Sequence, residues 1–366
     1  MKIGVPKEIK THEYRVAITP SLVAELVKNN HKIFIETQAG VESGYLDEVF
    51  EKAGATIVKT AEQAWNQEMI LKVKEPQPSE YKYFKPNLIL FTFLHLAAEQ
   101  ELTKELLKNQ VISLAYEMIS TILRPMSEIA GKRSVLSAAM FLEKQNKGQG
   151  ILLSNIPGLS KPKVVILGGG NAGLSACRLA LGLDVDLYVL ELNEDRLRFL
   201  DQILNGKAQV LKSNNYNLQQ VLPQADVVIS TILIPGAKAT KIVSEELVKS
   251  MKPNSIIIDV AIDQGGSVET ITKPTTHSNP TFIKHDVIHY AVANIPGAVP
   301  RTATNSLVNA TFKYVLDIAN KGWKKALLDD CNLFKTLSTF EGNITCKPVA
   351  EALEYEYIDG LELLKK

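Results

Sequence analysis

Cysteine is scarce in this 366-residue chain. The three present, Cys177, Cys331 and Cys346, have no C-x-x-C spacing, which argues against a disulfide framework or a thiolate metal site. No other metal-ligand spacing is apparent. No apolar run approaches the ~20 residues that cross a bilayer. No basic-then-apolar leader precedes the first strand-like residues, Lys2–Val5. Charge of one sign is lacking too: 41 basic and 40 acidic residues leave a net charge of +1. Nothing therefore points to a nucleic acid, another polyanion or a disordered tail. Repeats and low-complexity segments are absent. What remains is the profile of a globular protein of the reducing cytoplasm, 45% hydrophobic and long enough for two or three domains.

The most informative stretch is residues 164–191, VVILGGGNAGLSACRLALGLDVDLYVLE. An apolar run leads into Gly168, Gly170 and Gly173 in G-x-G-x-x-G spacing. A helical pattern follows, then a second apolar run ending at Glu191. Gly168 permits a tight turn, Gly170 lets a pyrophosphate approach the backbone, and Gly173 lets the helix pack closely on the sheet. The loop with Asn171 and Ala172 opens a helix whose unpaired N–H groups favour phosphate. Cys177 falls within that helix and reads as buried packing. Glu191 can accept hydrogen bonds from a ribose diol and would repel a 2′-phosphate, which favours NAD. A glycine turn in an ordinary βα unit is the bland alternative. The strand before, the helix after and the acid at the next strand end favour the dinucleotide site.

Strands alternate with helices before this unit. Strand-like runs are Lys2–Val5, Lys32–Glu36, Thr56–Val58, Met69–Val73 and Leu88–Phe93. Helical stretches begin at Pro20 and cover Leu46–Ala53 and Ala61–Trp65. This pattern implies a parallel sheet covered on both faces. A second unit of the same kind has a leading helix, Ser127–Lys144. Its strands are Val164–Leu167, Asp186–Leu190, Asp226–Ile232, Ser255–Val260 and Ile288–Val292. Asn305–Lys321 reads as a long amphipathic helix, and the tail after it as polar and helical with no strand. The expectation is two Rossmann-like, doubly wound α/β domains. Residues 126–300 form a nucleotide domain inserted in an outer domain made of 1–125 and 301–366.

The remaining unusual residues fall at strand ends, where open α/β sheets hold ligands. Arg15 lies in THEYRVAITP. Lys72 and Lys74 lie in LKVKEP, two residues apart on one side of a strand, an odd choice for a core face. His95 follows FTFL, and Asp263 follows the 255–260 strand in DVAIDQGG. Singly, each could be a surface charge, a satisfied histidine or a turn. Together they suggest a site for a small oxo-acid. Arg and Lys bind a carboxylate, and His exchanges a proton near neutral pH. Asp263 would orient water or ammonia, and a nicotinamide would supply hydride transfer. His289 reads as packed. His12, His31, His277 and His285 sit in loops or at strand edges.

Several blocks carry a resemblance: MKIGVPKEIK, RVAITP, LKVKEP, FTFLHLA, RPMSEIAG, ILGGGNAG, STILIPGAKA, IDVAIDQGG and HYAVANIPGAVPRTAT. In this order, over ~1–345, the chain resembles the alanine dehydrogenase/pyridine nucleotide transhydrogenase family, and within it the alanine dehydrogenases. The resemblance implies reversible oxidative deamination of L-alanine to pyruvate and ammonium with NAD, in a homohexamer. It makes Arg15 and Lys74 substrate-binding, and His95 and Asp263 catalytic. Nucleotide contacts would come from Ser127, Asn171, Glu191, Arg196, Ser213, Ile232, Leu233, Val260, Ala261, Ile262, Asp263, Val292, Ala293, Asn294 and Ile295. Lys273 stands near a basic position of the family, with an extra residue beside it.

The chain departs from that pattern in three places. Between AYE (115–117) and RPMSE (124–128) it is about five residues short, which shortens a hairpin near the interdomain connection. Glu191 stands where aspartate is usual. KRSVLSAAM lacks the small, glycine-rich character expected of the connecting helix. A transhydrogenase-type subunit is the nearest competing enzyme, and His95 and Lys74 speak against it. The match across both domains disfavours a saccharopine-type dehydrogenase, and the presence of Arg15, Lys74, His95 and Asp263 disfavours a catalytically dead nucleotide-binding regulator.

Overall fold

The computed structural model describes residues 1–232, 241–262 and 265–365. Leu233 and Asp263 lie outside them. The chain divides into two compact units, one of residues 1–126 with 297–366, the other of residues 127–296. In chain order the strands of the first unit begin with β1 (Lys2–Val5), β2 (Lys32–Glu36), β3 (Thr56–Val58), β4 (Met69–Leu71), β5 (Ile89–Thr92) and β6 (Ile112–Ala115). The second unit holds β7 (Lys163–Leu167), β8 (Asp186–Glu191), β9 (Gln209–Lys212), β10 (Val227–Ser230), β11 (Ile256–Asp259), β12 (Thr281–Lys284) and β13 (Val287–Tyr290). Then β14 (Leu337–Phe340) and β15 (Asn343–Ile344) return to the first.

The sheets run β15-β14-β6-β5-β4-β1-β2-β3 and β12-β13-β11-β10-β7-β8-β9. Within each, six parallel strands have the doubly wound order, and antiparallel strands extend one edge. Both units are Rossmann-like. Their inner strands are buried on both faces, as in MIL, ILFT, ISLA, VVIS and IIID, because helices cover both sides. In the second unit one apolar cluster gathers Val164, Ile166, Ala176, Val189 and Ile258. The other gathers Val165, Leu167, Val228, Ile257 and Val268. Cys177 is fully buried in the first of these, as expected.

Local chemistry explains the helix ends. Pro20 and Pro300 each open a helix, Pro20–Lys28 and Pro300–Lys321, at the position where a missing N–H is harmless. Thr60 and Gln63 form a reciprocal capping box on the helix Ala61–Trp65. No helix of the described residues is long and apolar enough to cross a membrane.

The tail corrects the sequence reading. It is not wholly helical, since β14 and β15 join the first sheet, with β14 antiparallel to β6. Periodicity hides β14 because LSTF is buried at every position and half of it is hydroxyl. Its polar atoms are satisfied locally: Thr339 Oγ1 lies 2.7 Å from Ser113 Oγ and donates to the Val111 carbonyl at 2.8 Å. The sequence reading also omits β6, β9 and β12. The connecting helix is Ser120–Phe141 and runs through Pro125, whereas the sequence reading starts it beyond that proline.

Candidate active site

Each sheet reverses its strand order once, between β1 and β4 in the first unit and between β7 and β10 in the second. Ligands of such sheets bind beyond the carboxyl ends of the strands at that reversal. In the first unit Arg15 lies between β1 and the helix Pro20–Lys28, Lys74 follows β4, and His95 follows β5. These strands are adjacent, so the three residues share one end of the sheet.

Arg15 is buried, and Glu13 grips it. Nε donates to Oε1 at 2.6 Å and Nη2 donates to Oε2 at 2.5 Å, while Nη1 points to the Met126 sulfur at 3.2 Å. Burial acts to lower the guanidinium pKa, but the Glu13 carboxylate outweighs it and raises the pKa further. Lys74 is half-buried, and among the described residues its ammonium has no hydrogen bond or ion pair. His95 has φ +52°, in the left-handed region unusual for a non-glycine residue. Glu117 holds it there, accepting from the N–H of Leu94 at 3.1 Å and of His95 at 2.7 Å. The imidazole stacks on Phe93 with its plane 16° away. Its Nδ1 lies 3.2 Å from Glu75 Oε2, and Lys10 pairs with the other Glu75 oxygen. Burial acts to raise the Glu75 pKa, yet the His95 contact, Lys74 and Lys10 hold it well below the usual carboxylate range.

The oddity of Lys72 is resolved here. β4 ends at Leu71, and Lys72 turns inward, 1% exposed, to Glu8 Oε2 at 3.0 Å and Glu80 Oε1 at 3.1 Å. The other Glu8 oxygen accepts the Val73 N–H at 2.6 Å. Lys72 is thus a buried counterion whose partner fixes the backbone leading to Lys74. Burial acts to raise the Glu8 pKa, Lys72 opposes it, and the net displacement is upward.

In the second unit the glycine loop follows β7. Gly168 has φ +90°, the turn its sequence position implied. A Cβ on Gly173 would lie 1.9 Å from the Gly168 carbonyl oxygen, so only glycine lets this helix approach. A Cβ on Gly170 would meet nothing within 4 Å. The backbone is open there, as a pyrophosphate requires. The helix Asn171–Gly182 starts at this point with Ala172 in its first turn. Glu191 ends β8, and its Oε2 accepts the Gly169 N–H at 2.7 Å. Arg196 donates from Nε to the Gly169 carbonyl at 2.6 Å. The Ser213 N–H donates to the Glu191 carbonyl at 2.8 Å. Ile232 approaches Gly168, its Cγ1 3.1 Å from where a Cβ would stand.

Other expected nucleotide residues lie at neighbouring strand ends. Val260 donates its N–H to the Ser230 carbonyl at 2.9 Å. Ala261 and Ile262 are buried, and Asp259 accepts the Ala261 N–H at 3.1 Å. Val292 forms an isolated bridge with Thr275, and the Ala293 N–H donates to the Thr275 carbonyl at 3.3 Å. Asn294 has φ +59° and precedes the buried Ile295. Lys273 is exposed on the segment before β12, and no described contact ties it to the glycine loop. Ser127 lies on the helix Ser120–Phe141, one turn before Gly131. A Cβ on Gly131 would come 2.0 Å from the Ala172 carbonyl oxygen, so the connecting helix packs closely on the glycine loop just before KRSVLSAAM.

Sequence reasoning missed Glu8, Glu13, Glu75, Glu117 and Thr231. Thr231 Oγ1 donates to the Gly168 carbonyl at 2.9 Å. All four glutamates lie within quoted blocks, in MKIGVPKEIK, THEYRVAITP, LKVKEP and AYE, but only packing reveals their partners.

The two units define a dinucleotide-binding α/β protein of the oxidoreductase type. One unit carries a glycine loop with dinucleotide-binding spacing, and the other a histidine beside two cations. Residues 4–130 match the alanine dehydrogenase/PNT N-terminal domain and residues 134–347 the alanine dehydrogenase/PNT C-terminal domain. The chain belongs to the alanine dehydrogenase/PNT family. It is 50% identical over 370 residues to an alanine dehydrogenase of Bacillus subtilis (strain 168), covering 100% of this chain and 98% of that protein. It is 48% identical over 371 residues to an alanine dehydrogenase of Geobacillus stearothermophilus, covering all of both chains. A solved L-alanine dehydrogenase structure superposes with a TM-score of 0.93 at 43% identity, covering 97% of this chain and 99% of that one.

Proposed function

We propose that this chain is an NAD-dependent L-alanine dehydrogenase, converting L-alanine and water to pyruvate and ammonium. The observation that carries the reading is the alignment of Arg15, Lys74 and His95 beyond three adjacent strand ends, in one chain with an open glycine loop. The first unit is assigned the substrate and the second the cofactor. Arg15, oriented by Glu13, takes the substrate carboxylate, and a lysine would not reproduce its planar fork. Lys74 interacts with the carbonyl oxygen of pyruvate or its amine counterpart. His95 carries the protons that accompany addition and loss of water and ammonia. Asp263 is assigned a catalytic role, as its family match implies.

NAD fits the second unit because the backbone is open at Gly170 and a carboxylate, Glu191, ends the next strand. When bound, NAD supplies the hydride acceptor. Gly168, Gly170, Asn171, Ala172 and Gly173 would cradle its pyrophosphate. Glu191 would take the adenine-ribose hydroxyls, with Arg196, Ser213 and Ser127 nearby contacts. Ile232, Leu233, the 260–263 and 292–295 segments and Lys273 complete the proposed set. A homohexamer in the cytoplasm is part of the same reading. Sedimentation of the purified chain tests its oligomeric state, and cell fractionation tests its location.

The deciding assay is NADH formation with alanine, glycine, serine and 2-aminobutyrate, and NADH consumption with pyruvate and ammonium. Alanine should be the preferred amino acid. Activity with another amino acid and none with alanine would overturn the reading. His95→Ala should lose alanine oxidation by about 100-fold or more, the scale of general acid–base catalysis, and still bind NADH in a fluorescence titration.

A further inference from the structure

The loop between β1 and the helix Pro20–Lys28 supplies three charged residues, Glu8, Lys10 and Glu13, that each reach a residue of the site. Two of these contacts explain Val73–Lys74 and Arg15. The third runs through a carboxylate to the histidine. Glu75 has a side chain 3% exposed, with one oxygen on Lys10 and the other 3.2 Å from His95 Nδ1. An ionised carboxylate accepts hydrogen bonds only. The ring nitrogen facing it must therefore carry a hydrogen, which leaves Nε2 as the atom that can take a proton. Glu117 fixes the backbone on the other side of the same residue.

From this geometry we propose that Glu75 is a positioning residue for the reaction. It sets the tautomer and ring orientation of His95 and stabilises the imidazolium formed when Nε2 accepts a proton, while Lys10 anchors Glu75. The proposal rests on His95 being the proton carrier. The logic is that of an orienting acid behind a catalytic base, which holds the reactive nitrogen toward substrate without itself being protonated. The other charged or titratable groups facing Glu75 are Lys74, Arg15, Glu99 and Tyr81. Glu99 is like-charged, so the His95 contact, with Lys74, Lys10 and Arg15, keeps Glu75 ionised.

The test compares Glu75→Gln, Lys10→Met and His95→Ala with the unaltered enzyme, measuring alanine oxidation against pH and NADH binding by fluorescence. Glu75→Gln keeps the shape and removes the charge. Its kcat should fall roughly 10- to 100-fold, the scale seen for hydrogen-bond partners behind metal-bound histidines, with the alanine KM and NADH binding little changed. Without the anion the imidazolium loses its partner, so the acidic limb of the pH profile should move to lower pH. Lys10→Met should move it the same way by less. A purely structural glutamate would not move that limb. If Glu75→Gln keeps kcat within about twofold and the limb stays put while His95→Ala is inactive, the positioning role is refuted and the role of His95 stands. A His95→Ala enzyme with near-normal turnover would remove both.

Discussion

Lys72→Met strands two buried carboxylates. In the native chain Glu8 Oε2 and Glu80 Oε1 lie 3.0 and 3.1 Å from the Lys72 ammonium, and the side chains are 3% and 5% exposed. Breaking a buried pair costs about 3–5 kcal/mol because the orphaned charge keeps its desolvation penalty. Here one cation serves two acids, so the upper half of that range is expected at pH 8. The pH dependence gives an independent check. Burial already raises the Glu8 pKa above the ordinary glutamate value, and losing Lys72 raises it further. A carboxyl whose folded pKa lies above its unfolded one contributes stability that is complete below the unfolded value and lost as pH rises through the folded one. The deficit of the variant should therefore shrink as pH falls from 8 toward 5. Both tryptophans, Trp65 and Trp323, belong to the first unit, and Trp65 has the Lys72 ammonium 6.0 Å from its ring centre. Denaturant unfolding followed by tryptophan fluorescence thus reports this unit. Nucleotide binding, expected in the second unit, should survive. A loss under about 1 kcal/mol at pH 8, below the range for a broken buried pair, or a deficit that grows on acidification, would refute this account of the network.

Three further outcomes follow from the second unit. Gly173→Ala places a methyl group 1.9 Å from the Gly168 carbonyl oxygen, and NADH titration should show binding reduced at least about tenfold, since the loop must shift to relieve the clash. Glu191→Ser removes the carboxylate that would repel a 2′-phosphate, so the ratio of kcat/KM for NAD over NADP should fall by about tenfold or more; equal use of both cofactors by the unaltered chain would dismiss the role of Glu191. Burial lowers the His289 pKa from 6.5 to about 4, so the unfolded state binds more protons between those values and stability falls on acidification, by ~3 kcal/mol at 1.36 kcal/mol per pH unit. Replacing His289 by Gln should flatten the stability curve of this unit over that window, measured by circular dichroism.

Legibility in the sequence followed the range of the interactions. The glycine loop is local, so spacing alone located Gly168 and Gly173 and the reasons for them. Arg15, Lys74 and His95 were legible because polar residues stand out beside apolar strands. Their glutamate partners were not, because Glu75 reaches His95 across a strand boundary and Lys10 reaches Glu75 from 65 residues away. Lys72 looked wrong for a core strand, and that suspicion was sound. Its explanation needed Glu8 and Glu80, which only folding brings together. The strand β14 escaped notice for a different reason: hydroxyls inside a sheet break the hydrophobic pattern while satisfying one another.

That same strand has a consequence in time. β14 closes the edge beside β6, and roughly 220 residues separate them. At synthesis rates of about 5–20 residues per second they emerge roughly 10–45 s apart. During that interval the whole second unit leaves the ribosome, while the first sheet waits with the Ile112–Ala115 edge open. An open apolar edge invites pairing with another chain. A nascent chain halted before Leu337 would carry a complete nucleotide-binding unit fused to an unfinished sheet. The last strands therefore decide when the newborn protein stops being prone to aggregate.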